Sequence, residues 1–335
     1  MTPDTAPQAR YLLPGNPVRC VLCPRACRIA EGAWGSCGVR GRRNGAGFIP
    51  HYGRITALAV DPIEKKPLYH YRPGSAVLSA GFAGCNMRCP FCQNWRIAQN
   101  PNAQAEYYAP EDIVSEAQSA GLRQIAYTYS EPLVHPEFLL DCMSLARKAG
   151  IANILVSNGC ICSDPAEDIL GLTDAANIDL KSGSEETYAR VLGGDLPTVA
   201  GFIAKAREMG THLEVTTLVV PGLNDGEEDI RRCIALIRGI DPAIPWHLSA
   251  YHPDYRWDAP PTEPARLIAI AEEAGKTLKR VYTGNIAGGY SDTFCRICGK
   301  RIVRRQGYRV DTKGLVIAEG TYHCAYCGGP APFKG

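Results

Sequence analysis

No apolar run in this chain of 335 residues approaches the length of a transmembrane span, and the opening MTPDTAPQARYLLPGNP lacks the apolar core of a signal peptide. An anchor or leader is therefore not expected, and the expected location is cytoplasmic. Charge of one sign is lacking too. Lys plus Arg number 36 against 34 for Asp plus Glu, so no strong field draws the chain toward nucleic acid or an anionic membrane. There is no low-complexity segment, and the only internal repetition is an alternation of strand-like and helix-like stretches. One large domain with small appendages is the natural reading of this length.

What the sequence has in plenty is cysteine. Fifteen cysteines in such a chain, most of them in close-spaced groups, read as metal ligands kept reduced rather than as a disulfide framework. Four lie early (Cys20, Cys23, Cys27, Cys37), three in a central loop (Cys85, Cys89, Cys92) and four at the end (Cys295, Cys298, Cys324, Cys327). Of the others, Cys142 and Cys233 fall on apolar helix faces and are expected in the core. Cys160 and Cys162 follow an Asn-Gly turn and read as buried small residues, or as hydrogen donors near a site.

The central stretch VLSAGFAGCNMRCPFCQNW, Val77 to Trp95, organises the chain. A strand-like run ends at Ala80-Gly81 and leads into a loop with the spacing CxxxCxxC. A closed zinc site or a standard iron–sulfur cluster takes four protein ligands, so three leave one position open to another molecule. A zinc knuckle completed by histidine is the competing reading. It is poorly supplied, because His70 lies upstream across a Pro-Gly turn and no histidine follows before His135.

Beyond this loop, apolar runs at 124–129, 153–157, 176–180, 212–220 and 246–250 alternate with amphipathic helical segments, the signature of parallel βα units. Helix starts are marked by Pro110, Pro136, Pro165 and Pro197, since proline at the first helical position loses no needed N–H. Gly121, Gly150 and Gly210 mark stops. With the 77–81 strand there are six units, and a seventh short strand is expected at 280–283. The fold class is α/β, an open partial (β/α)6 barrel, with small Cys-rich metal-binding elements at both ends. The expected boundaries are 1–50, 51–290 and 291–335.

In parallel βα folds the working groups sit at the carboxyl ends of the strands. Those ends read YTYSEP, VSNG, NIDLKSG, LVVPGLND and HLSAYHP. Each suits a zwitterionic nucleoside ligand: Ser130 and Glu131 for an ammonium, Asn158 for ribose hydroxyls, Lys181 for a carboxylate, His252 for adenine or ribose edges.

CxxxCxΦC with Phe91 before the third cysteine resembles the cluster loop of radical S-adenosylmethionine (radical SAM) enzymes. The resemblance implies a [4Fe–4S] cluster on Cys85, Cys89 and Cys92, with SAM on the fourth iron. It further implies cleavage of SAM to methionine and a 5′-deoxyadenosyl radical that abstracts hydrogen. The strand tails resemble the glycyl-radical-enzyme activase branch, which carries SAM-contact roles onto Ser130, Glu131, Asn158, Asp179, Lys181 and His252. Two departures stand out. YSEP lacks the paired glycines of that branch, and Val156 stands where an aspartate often precedes the Asn-Gly turn.

End to end, the CxLCPRxC knot, DPIEKKPLYH, CNxRCxFCQNW, YTYxEP and the terminal double CxxC resemble the radical SAM component of the AmmeMemoRadiSam system. That resemblance implies the two accompanying protein families as partners, and a low-potential electron donor such as flavodoxin or ferredoxin. The substrate is left open. A glycyl-radical activase acting on a protein and a non-catalytic metal-binding adaptor are the alternatives.

The two ends lack enough apolar surface to fold unaided. The early group, CxxCxxxCx9C, suits zinc or an auxiliary iron–sulfur cluster. CxxC, 25 intervening residues and CxxC at the carboxyl end form a zinc-ribbon pattern, with rubredoxin-like iron as competitor and His323 expected beside the site, not as a ligand. The ribbon's basic residues, among them Lys300, Arg301, Arg304 and Arg305, read as a solvated hairpin face, or as a contact for an acidic protein or nucleic acid. The charged DPIEKKPLYH run reads as a cover over the cluster, a substrate contact, or a solvated connector.

Overall fold

The structure, a computed structural model, describes residues 9–335. Its centre is one eight-stranded sheet. In chain order the strands are β1 (Ala57–Pro62), β2 (Ala76–Gly81), β3 (Gln124–Thr128), β4 (Ala152–Ser157), β5 (Ala175–Asp179), β6 (His212–Val219), β7 (Trp246–Ala250) and β8 (Val281–Gly284). They lie side by side in that order. From β2 to β8 every pairing is parallel, whereas β1 runs antiparallel along the outer edge of β2. Since β1 and β8 do not pair, the barrel is open along one side. The six expected units and the short seventh strand are present. The antiparallel β1 is additional, an edge strand that precedes the first unit.

Helices α1 (Pro110–Ser119), α2 (Pro136–Lys148), α3 (Ser163–Leu170), α4 (Leu196–Glu208), α5 (Glu227–Ile240) and α6 (Pro264–Gly275) follow β2 to β7 in turn. Proline opens three of them at the first two positions, as the sequence predicts, and opens α6 as well. Helix α3 instead starts two residues before Pro165, with Cys162 as its extended cap. Gly121, Gly150 and Gly210 stand just past α1, α2 and α4 with positive φ, the left-handed turn that ends a helix without a Cβ clash. Between strands and helices lies an unbroken core that includes Tyr127, Leu155, Val215 and Trp246. Cys142 and Cys233 are fully buried in it, as expected.

The Cys-rich ends are small antiparallel pieces. The early one holds short strands at Leu12–Leu13, Val18–Cys20 and Arg28–Ile29 and a hairpin of Gly41–Arg43 with Ala46–Phe48. It is tied to α2 by a fully buried bidentate pair, Arg40 with Glu137, at 2.7 and 2.8 Å. The terminal ribbon is built from Arg301–Gln306, Arg309–Asp311, Leu315–Ala318 and Thr321–Cys324.

DPIEKKPLYH is neither a solvated connector nor loose. Ile63 and Leu68 are fully buried, Glu64, Lys66 and His70 nearly so, and the segment joins ribbon to barrel. Glu214 on β6 accepts from the amides of Tyr69 and His70 and lies 3.0 Å from His212 Nε2 and 2.6 Å from His247 Nε2. His70 Nε2 meets Tyr282 Oη at 2.6 Å and its ring stacks on Phe333, while Arg305 donates to the Tyr69 carbonyl and to Thr293 Oγ1. A carboxylate with four polar partners is fully compensated despite its burial, which holds Glu214 ionised well below the usual carboxylate range. Among the described residues no helix is long and apolar enough to cross a membrane.

Candidate active site

A cavity of about 1670 Å³ opens inside the barrel. One end is formed by the cluster loop and the carboxyl tails of the strands, the other by β8, DPIEKKPLYH and the ribbon. Cys85, Cys89, Phe91 and Cys92 line it, and so do Ser130, Glu131, Asn158, Asp179 and Lys181. Residues from four separate segments of chain thus face one space.

The loop carrying the cysteines is held from three sides. Arg88 donates to the Cys85 carbonyl (2.7 Å) and to the Ser36 carbonyl of the early element, and Arg25 Nε donates to the Asn86 carbonyl at 2.7 Å. Trp95 stacks on Tyr255 and donates to Asp254 at 3.1 Å, which pins the far end of the loop to the turn after β7. Gly84 has φ of +82°, and a Cβ there would stand 2.6 Å from the Cys37 carbonyl oxygen, so the early element packs directly behind the loop.

Burial pushes the Cys85 thiol well up, Cys89 to about 11, and Cys92 up as well; Lys181 beside Cys89 and Cys92 pulls the other way. Three thiols converging on one cavity with so little compensating positive charge ionise together only on a cationic centre. The donor set therefore fits a metal cluster. Among the described residues, the terminal quartet alone gathers three or more such donor atoms within 4.8 Å of one another. The central three sulfurs are spread more widely than one ion requires, as are the early four.

Glu131 is fully buried at the end of β3. Its Oε1 accepts from Ser157 Oγ (2.6 Å) and the Leu133 amide, its Oε2 from the Asn158 amide (2.8 Å). Burial pushes it up to about 7 against those hydrogen bonds. Asn158 donates to Asn86 Oδ1 at 2.9 Å and faces Cys85 Sγ at 3.7 Å, so the Asn-Gly turn touches the cysteine loop itself. Lys181 pairs with Asp179 at 2.9 Å; burial opposes its charge, and Asp179 and Cys89 hold it protonated. Ser130 Oγ donates to the Phe82 carbonyl at 2.7 Å.

His252 is not brought into the cavity wall. Buried Tyr251 is fixed through its amide to Thr262 Oγ1, and the following residue faces outward, exposed, 3.0 Å from Gln93 Nε2. Cys160 is buried with its carbonyl bonded to Asn86, while the Cys162 amide donates to Leu22 O beside the early element. Neither lines the cavity.

Sequence reasoning missed Tyr129, and it read Asp61 and Lys66 only as part of the DPIEKKPLYH run, not as its partners. The Tyr129 ring lies across the inner face of β2, reaches Asp61 with its hydroxyl, and has Lys66 Nζ 4.4 Å from its centroid. Gly81 makes this possible, since a Cβ there would stand 2.7 Å from the ring. The signal was the glycine that closes β2.

At the carboxyl end, the Sγ atoms of Cys295 and Cys327 stand 3.8 Å apart and those of Cys298 and Cys324 3.7 Å apart. Four sulfurs about 2.3 Å from one ion at tetrahedral angles are roughly 3.8 Å apart. His323 lies outside the group, half-buried, with Nδ1 toward the Gly328 carbonyl.

The Radical SAM superfamily profile matches residues 81–234, the span from the end of β2 into α5 that carries the cysteine loop and most of the cavity tails. An uncharacterized protein of Methanocaldococcus jannaschii, MJ0808, is 39% identical over 94% of this chain and 95% of its own length. The chain belongs to the radical SAM superfamily. It is an enzyme of that class. A pyruvate formate-lyase-activating enzyme of Clostridium pasteurianum is 27% identical over 51% of this chain and 73% of that protein. In structure, a radical SAM methyltransferase from Sphaerobacter thermophilus shares the fold, with a TM-score of 0.51 and 12% identity over 63% of this chain and 66% of that one.

Proposed function

We propose that this radical SAM enzyme binds a [4Fe–4S] cluster on Cys85, Cys89 and Cys92 and SAM at the open iron, and abstracts hydrogen from a substrate inside the barrel. The observation that carries this is the meeting, in one cavity, of the Cys85, Cys89 and Cys92 thiols with the polar tails of three strands. A cluster held by Cys85, Cys89 and Cys92 would supply the single electron that reductive cleavage of SAM requires. The protein's part is to orient and to exclude water. Glu131 and Ser130 receive the ammonium, whose positive charge offsets the burial that disfavours the Glu131 carboxylate. Lys181, aimed by Asp179, takes the carboxylate, and Asn158 and Phe91 border the nucleoside. His252, outside the wall, acts from the rim through Gln93, 3.0 Å away, which lines the cavity. The turn set by Ser157, Glu131 and Asn158 is already hydrogen-bonded, so little ordering remains to be done on binding.

The terminal quartet is proposed as a structural zinc site, on its sulfur spacing. The early four cysteines are proposed to hold zinc or an auxiliary cluster, with the units divided at about 1–50, 51–290 and 291–335. A cluster at the reducing end of the iron–sulfur range, roughly −400 mV or lower, needs a donor such as flavodoxin or ferredoxin. The sequence resemblance to the AmmeMemoRadiSam component makes the other proteins of that system candidate partners. A cytoplasmic location suits the reduced cysteines. Superfamily membership sets the non-catalytic adaptor aside. Similarity to pyruvate formate-lyase-activating enzymes keeps a second reading alive, the installation of a glycyl radical on a protein.

Anaerobic reconstitution followed by dithionite and SAM tests the main reading by mass spectrometry. It expects 5′-deoxyadenosine and methionine in equal amounts, and neither product would refute it. A persistent glycine-centred doublet on a partner protein would select the second reading.

A further inference from the structure

The end of the cavity away from the cysteine loop has a charge the proposed chemistry does not use. Apart from Lys65 and Lys66, both paired with Asp61, its wall carries Lys279, Arg280, Arg296, Arg301, Arg304 and Arg305 against Glu64 and Asp292. Six cations against two carboxylates stand out in a chain whose totals are 36 and 34. Asp292 is taken up by Arg301 at 3.0 Å, and Glu64 lies 3.9 Å from Arg305. Lys279, Arg280, Arg296 and Arg304 have no carboxylate within ion-pair distance among the described residues. Arg305, its side chain wholly buried, bonds through both terminal nitrogens to Ser291, Thr293 and Tyr69, yet its Nε has no hydrogen-bond partner. One Glu64 oxygen is likewise unpartnered, and burial pushes that carboxyl toward its neutral form.

SAM does not account for these cations, because its sulfonium and ammonium outweigh its carboxylate and its proposed contacts lie at the other end. Nor does it fill the space: about 1670 Å³ exceeds the roughly 300–1,000 Å³ of a one-ligand pocket. We infer that the ribbon end of the cavity binds the phosphoryl group of a phosphorylated small-molecule substrate and so presents its far end to the radical. Four unpaired cations exceed what a single carboxylate neutralises, and arginine forks match phosphoryl oxygens in pairs. The ribbon is then a specificity element, not an appendage, and its zinc fixes the arginines in place. The inference rests on the radical SAM reading only in taking the cysteine end as the reacting end.

The test is calorimetric titration of inorganic pyrophosphate into the cluster- and zinc-loaded enzyme, with saturating SAM to occupy its own site. Saturable binding of one pyrophosphate per chain is expected. The Lys279→Gln/Arg304→Gln double variant, altered only at exposed positions, should weaken it roughly tenfold or more. Zinc content and melting temperature check that the variant is folded. Absence of saturable heat, or equal affinity in the double variant, would overturn the inference. So would tight binding of a short RNA oligonucleotide with none of pyrophosphate, which would assign the arginines to a nucleic-acid backbone. Production of 5′-deoxyadenosine by the same preparation is scored separately, so its failure strikes the radical SAM reading and leaves the pyrophosphate result to decide this one.

Discussion

The central cysteines and the terminal cysteines are built for opposite ends. At the terminus four sulfurs sit at the spacing of one tetrahedral ion, and the few apolar residues around them, Ile302, Val303 and Phe333, could not hold the shape alone. In the barrel three thiols face a large cavity, more widely spread, and the loop that carries them is already fixed by Arg25, Arg88 and Trp95. A metal held by the terminal quartet would have all four positions filled by protein and would stand in for a hydrophobic core. A cluster held by the central three, on a loop the protein already keeps rigid, would leave a position for another molecule.

That contrast can be broken most severely at the metals. Cys92→Ser should lose the barrel's iron and drop 5′-deoxyadenosine formation to background while keeping the ribbon's metal. Cys298→Ser should do the reverse to metal content and unfold the ribbon, since structural zinc contributes roughly 10–16 kcal/mol in small modules. Iron and zinc analysis with limited proteolysis reads both, and a common loss of both metals would show that the sites are not separable.

A smaller effect is expected where the early element grips the barrel. Arg40 and Glu137 are both fully buried, so Glu137→Ala leaves a guanidinium without its partner at a cost of about 3–5 kcal/mol. Replacing the pair together, Arg40→Met with Glu137→Leu, should recover much of that loss in denaturant melts. Gly84→Ala comes next. Its Cβ would meet the Cys37 carbonyl at 2.6 Å in a left-handed backbone, costing about 1–3 kcal/mol and loosening the cysteine loop, visible as reduced iron retention with zinc unchanged.

The mildest test is acid. Burial pushes His135, stacked under Phe82, and His70, stacked on Phe333, each down to about 3. A histidine held below its ordinary value of about 6.5 contributes stability that is complete above that value and is lost as pH falls toward 3. One such residue lies beneath each cysteine region, so stability of both should decline from about pH 6.5 downward. His135→Gln should flatten the decline for the barrel alone, followed by denaturant melts at stepped pH.

The parallel sheet was legible because its signals are local: apolar runs, prolines at helix starts, glycines just past helix ends. Three cysteines in the right spacing and polar residues at strand ends pointed to the cavity for the same reason. The pieces that escaped depend on contacts between distant segments. Tyr129 needs Gly81 and Asp61 to lie as it does, and Glu214 gains its meaning only when Tyr69, His70, His212 and His247 surround it. Similarly, the ribbon's basic residues read as a solvated hairpin face, and Arg301, Arg304 and Arg309 are indeed exposed, but Arg305 turns inward to Tyr69 and Thr293.

The account turns on the vacant coordination position at Cys85, Cys89 and Cys92. Low-temperature electron paramagnetic resonance of the dithionite-reduced, reconstituted enzyme, recorded with and without SAM, tests it most directly. The account predicts that SAM changes the g-values of the reduced cluster in wild type and that no such signal survives in Cys92→Ser. A reduced cluster whose spectrum is identical with and without SAM would contradict it.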